Sequence, residues 1–108
     1  MLELKINEDE FGCLRATTSP PYEVLGSFLS GDVQGNDIWA ESVIRILEQA
    51  KKGTVAHWEA TGNAHTVVID QSGVQIENDY IDPKHTCKLT LDEFENALKQ
   101  WVRALRTR

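Results

Sequence analysis

Hydrophobic and polar residues alternate from the first positions of the chain. Leu2, Leu4 and Ile6 fall on one side and Glu3, Lys5 and Asn7 on the other, the pattern of a half-buried strand. Asn7-Glu8-Asp9-Glu10 is a polar turn, and Phe11 to Thr17 resumes the alternation, which predicts a hairpin. Pro20-Pro21 interrupts pairing and forces an extended corner. Tyr22 to Leu29 then reads as a third strand, with Tyr22, Val24 and Phe28 facing one way and Leu25 and Leu29 the other. After Gly35 the period changes. Asn36 or Asp37 can cap a helix from Ile38 to Lys52, ended by Gly53, whose Trp39, Val43, Ile46, Leu47 and Ala50 recur at helical spacing.

Beyond Gly53 the period returns to two. Val55 to Thr61, His65 to Asp70 and Val74 to Tyr80 predict three strands, with tight turns at Gly62-Asn63 and Gln71-Ser72-Gly73. Asp82-Pro83-Lys84-His85 reads as a loop, and Cys87 to Leu89 as a short extended piece. Thr90-Leu91-Asp92-Glu93 is a capping box, followed by an apolar stripe of Phe94, Ala97, Leu98, Trp101, Val102 and Leu105 on a terminal helix. The expected architecture is α+β, mostly antiparallel, in the order β-β-β-α-β-β-β-α, with the helices packed on the sheet. The 108 residues are long enough for one core, so residues 1–108 are read as a single domain.

Charge adds direction to this picture. The chain has 17 acids against 11 Lys and Arg, a net charge of −6. Lys99, Arg103, Arg106 and Arg108 crowd the end of the last helix, where the helix dipole favours them. The remaining body is correspondingly more acidic. Ala16 to Ile44 and Gly53 to Pro83 contain acids and no Lys or Arg. Such a body repels nucleic acid and anionic membrane, and it speeds encounter with a basic protein. The plainer reading is an acidic surface that keeps a small protein soluble. No run approaches the roughly 18 apolar residues of a membrane helix, and Met1-Leu2-Glu3-Leu4-Lys5 is no signal peptide. With Cys13 and Cys87 as its two cysteines, the chain is expected to be cytoplasmic with reduced thiols.

Catalytic chemistry finds little support in these residues. Asp82, His85 and Cys87 match no standard zinc spacing, so no metal or other cofactor is expected. His85 two residues before Cys87 permits contact on a strand but names no oxyanion hole, and no Gly-rich phosphate loop precedes a helix. A binding protein without enzymatic activity is the expectation. Gln75, Glu77 and Asp79 should project from the strand face opposite Val74 and Ile76. Glu59 joins them if register allows, with Asp82 at the rim and Tyr80 as an aromatic anchor. Asp32 and Asp37 near the first helix form a second acidic patch. A solvated sheet face explains the same carboxylates without a partner.

Two stretches carry a family likeness. Tyr22-Glu23-Val24-Leu25-Gly26-Ser27-Phe28-Leu29 with Asp32-Val33 and Asn36 resembles the YacL family of small acidic bacterial proteins. So does His57-Trp58-Glu59-Ala60-Thr61-Gly62-Asn63 leading into Thr66-Val67-Val68-Ile69-Asp70 and Gly73-Val74. The ending Leu89-Thr90-Leu91-Asp92-Glu93-Phe94, with Leu98 and Trp101, resembles that of the immunity proteins of contact-dependent growth inhibition. The second resemblance implies a cytoplasmic inhibitor that binds the C-terminal domain of one cognate toxin. A basic nuclease toxin would be covered by carboxylates that mimic its substrate. The first implies a housekeeping protein with a structural or regulatory role.

Overall fold

The computed structural model describes residues 2–81 and 85–108. Strands β1 (Leu4–Glu8) and β2 (Leu14–Thr18) form an antiparallel hairpin, with Ile6 opposite Ala16. Asp9 holds its turn, accepting from the Phe11 and Cys13 amides and from Arg15 Nε at 3.0 Å. These bonds hold the Asp9 carboxyl below its ordinary pKa, the Cys13 amide first among them.

The chain then departs from the sequence expectation. Tyr22 to Leu29 is no strand. Glu23–Phe28 is an α-helix, α1, continued by a π-helical turn at Leu29–Val33. Apolar residues at 22, 25 and 29 and at 24 and 28 satisfy helical spacing as well as the alternation does, and burial decides between them. Val24, Leu25, Phe28 and Leu29 all enter the core. Gly26, an unfavourable residue for a helix interior, has a packing reason. A Cβ there would lie 2.9 Å from the Ala16 carbonyl oxygen, so glycine lets the α1 backbone ride directly on β2. Thr18 enters the helical ladder at this crossing: its hydroxyl accepts from the Gly26 amide and donates to the Tyr22 carbonyl.

Helix α2 (Asp37–Lys51) begins where the sequence predicts, capped by Asn36 accepting from the Trp39 amide at 3.0 Å. Strands β3 (His57–Thr61), β4 (His65–Asp70), β5 (Gly73–Asn78) and β6 (His85–Leu89) form one antiparallel meander in sequence order. The extended piece around Cys87 is therefore a full strand. Helix α3 (Leu91–Thr107) closes the fold on the expected capping box, with Thr90 and Glu93 satisfying each other's backbone amides. The order is β-β-α-α-β-β-β-β-α, and the six strands lie in two sheets of two and four. The α+β class holds; the expected order does not.

The core lies between the four-stranded sheet and the helices. Val67, Ile69, Val74, Ile76, Cys87 and Leu89 face it from the sheet, against Leu25, Phe28, Leu47, Phe94, Leu98 and Trp101. Phe28 is central, edge-on to Trp39 and His65 and tilted against Phe94 at 5.9 Å. Helices α2 and α3 run antiparallel and are tied at both ends. Arg106 bonds Asp37 and Glu41, while Lys51 reaches Asp92 and Glu95. No helix among the described residues is long and apolar enough to cross a membrane.

Candidate functional site

The register settles how the expected acidic face is arranged. Glu59 stands opposite Val68, Val68 opposite Gln75, and Gln75 opposite Lys88; the next row is Thr61, Thr66, Glu77 and Thr86. Glu59 and Glu77 thus share the outer face of the sheet, two strands apart and one row displaced. Strand spacing and rise put them roughly 12 Å from each other. Asp79 joins this face through Thr66, whose hydroxyl donates to its carboxylate at 2.7 Å, and Thr61 completes the chain at 3.0 Å from Thr66. Gln75 Nε2 donates to Glu77 at 3.1 Å. Tyr80 follows at the end of β5, 80% exposed. The face is less uniformly acidic than the linear sequence suggests, because Lys88 lies in the Glu59 row and His57 approaches Glu59 at 3.6 Å. Asp82 lies outside the described residues.

The second patch does not form a surface. Asp37 is engaged by Arg106 at 3.1 Å, so one of the C-terminal bases answers an acid of the body. Asp32 is buried, its side chain only 3% exposed. Its carboxylate accepts from the Ala64 amide at 3.1 Å, the His65 amide at 3.0 Å and His65 Nδ1 at 3.0 Å. The π-helical turn makes this possible by carrying the chain from Ser27 to Asp32 on one side of the helix. Gly62 makes it possible from the other direction, since a Cβ there would meet Asp32 Oδ2 at 2.5 Å.

On the far side of the imidazole, His65 Nε2 lies 2.9 Å from Ser27 Oγ. Ser27, His65 and Asp32 therefore form a continuous hydrogen-bonded series, with His65 and Asp32 buried and Ser27 exposed. Asp32 is a carboxylate with three donors aimed at it, which assigns the proton on His65 to Nδ1 and leaves Nε2 to face the serine hydroxyl. Ser27 Oγ also lies 3.0 Å from the Val24 carbonyl. Sequence reading missed this group. Its signal was His65, which shares the parity of Val67 and Ile69 and so must turn inward, where an imidazole needs partners.

Cys87 is 4% exposed, and burial pushes its thiol up to about 11, so it remains protonated. Cys13 is exposed and unpaired. Among the described residues no group of His, Cys, Asp and Glu is arranged to hold a metal ion. No curated protein and no solved structure matches the chain. The likeness of the C-terminal helix to toxin-immunity proteins is corrected by a family model that spans the whole architecture from the first hairpin through most of α3. That capping box is a general device for starting an amphipathic helix, so it carries no family information. The model matches residues 2–101, and the chain belongs to UPF0231, an uncharacterised protein family.

Proposed function

We propose that this is a small acidic housekeeping protein of the cytoplasm that acts by binding, and that its partner is a basic protein seated on the outer face of the four-stranded sheet. The observation that carries this reading is the one-sided cover of that sheet. Val67, Ile69, Val74 and Ile76 are buried under the helices, while the opposite face carries Glu59, Glu77 and Asp79 around a half-buried Val68. An apolar centre ringed by polar groups of one predominant sign suits a protein surface of opposite charge, with exposed Tyr80 as an anchor at its margin. Nucleic acid would be repelled by the same carboxylates. Membership of UPF0231 rather than of an immunity family favours a housekeeping role over neutralisation of a toxin.

Site-directed photo-crosslinking in the native cell tests this. A photoreactive residue at Val68 is expected to trap a basic protein, and the same residue at exposed Arg45 of α2 is expected to trap none. The Val68 adduct should vanish when Glu59 and Glu77 are both changed to Lys. An adduct that survives this double reversal, or one that forms only at position 45, rejects the sheet face.

A further inference from the structure

We infer that Ser27 is a base-activated nucleophile, and that Ser27, His65 and Asp32 form a centre for acyl transfer from small carboxylic esters. The inference is independent of the sheet face, which lies on the other side of β4. Three observations support it. The distances are those of a working series: 2.9 Å from Ser27 Oγ to His65 Nε2, and 3.0 Å from His65 Nδ1 to Asp32 Oδ1. Accessibility is graded in the useful direction, with the nucleophile exposed and the base and its orienting carboxylate both 3% exposed. The backbone is also shaped for the group. A π-helical turn, frequent at functional sites, separates Ser27 from Asp32, and Gly62 allows the β3–β4 turn to close over the carboxylate.

A purely structural bridge would require neither the exposed hydroxyl nor a base with its reactive nitrogen turned outward. Asp32 alone already fixes the hairpin turn through the Ala64 and His65 amides. The hydroxyl proton has two acceptors within reach, Val24 O and His65 Nε2, and only the imidazole can remove it. Asn78, the cross-strand partner of His65, accepts from the Tyr80 amide through Oδ1. The register thus sets a side-chain amide beside the imidazole on the inner face of the sheet. Ser27 is exposed, so the carbonyl of a small, unhindered ester can reach its hydroxyl directly from solvent.

In the reaction, Ser27 Oγ bonds to the ester carbonyl carbon as its proton passes to His65 Nε2. The adduct collapses by breaking the bond to the alkoxy oxygen, which leaves as the alcohol with the proton from His65. Water then attacks the acyl-serine, giving its proton to Nε2. Cleavage of the Oγ–acyl bond returns that proton to Ser27 and releases the carboxylic acid. His65 and Ser27 are catalytic residues; Asp32 is a positioning residue.

The test is covalent labelling of the purified full chain with a small alkyl fluorophosphonate, in which Ser27 Oγ bonds to phosphorus and fluoride leaves. One adduct per chain is expected, mapped to Ser27 by peptide mass spectrometry, and it should be absent in Ser27→Ala. Asp32→Asn keeps an acceptor for the backbone amides but can present an NH2 to Nδ1, reversing the tautomer. In the folded variant labelling should slow by about 10²-fold or more. Wild-type protein that acquires no adduct at Ser27 overturns the inference, whatever the variants do. So does an Asp32→Asn variant that retains the native circular dichroism and labels at the wild-type rate, because Ser27 would then react without its base.

Discussion

Gly62 has room for a hydrogen and nothing larger. A Cβ would meet Asp32 Oδ2 at 2.5 Å and Cγ at 3.1 Å, and Asp32 cannot retreat without breaking three hydrogen bonds in a buried site. Gly62→Ala is therefore expected to destabilise the protein by about 1–3 kcal/mol, the usual range for overpacking a closed site. Gly35→Ala is the matched control, since a Cβ there meets nothing within 4 Å and should change stability by less than ~0.5 kcal/mol. Urea midpoints of the two variants decide the matter, and equal midpoints would mean that the turn can shift away from Asp32. The sequence shows a glycine in a turn but not this reason for it. Gly62-Asn63 reads as an ordinary hairpin signal because the carboxylate it accommodates is contributed from the π-helical turn.

Elements were legible wherever the local signals agreed with one another. Thr90 to Glu93 combines a cap, a reciprocal carboxylate and an apolar stripe, and the structure reproduces all three. Removing the cap hydroxyl with Thr90→Ala should lower stability by about 1 kcal/mol and the melting midpoint by about 4 °C. A melt that does not move would assign the start of α3 to its packing on the sheet alone. Segment 22–29 was illegible for the opposite reason. Its five apolar residues fit period two and period 3.6 alike, and Gly26 and the preceding prolines argue locally against a helix. Contacts with β2 that no local pattern contains settle it, Thr18 bonding both Gly26 and Tyr22. Once the segment is helical, Ser27 and Asp32 can reach one imidazole. The helical form of segment 22–29 and the Ser27, His65, Asp32 group thus depend on the same long-range contacts, which no local pattern contains.

Across the whole molecule, some of the 17 acids tie one element to another and others gather on the outer face of the four-stranded sheet. Asp9 bonds Arg15, Asp37 and Glu41 bond Arg106, and Asp92 and Glu95 bond Lys51. The acids so engaged tie the hairpin turn and the two long helices. Glu59 has a long approach from exposed His57, and the sheet face around it gathers Glu77 and Asp79 with Lys88 as the one Lys or Arg in its described strand rows. Like charges gathered on one sheet face repel one another mildly, a cost that a binding surface can retain against folding stability. Glu59→Lys with Glu77→Lys exchanges only interactions on the sheet surface and should change the unfolding free energy by less than ~1 kcal/mol, while removing the crosslink from Val68. Arg106→Glu, which opposes Asp37 and Glu41 at the α2–α3 latch, should lower the urea midpoint instead. A double reversal that destabilises by ~2 kcal/mol or more would move Glu59 and Glu77 into the class of structural acids, and the loss of a crosslink would then report unfolding rather than recognition.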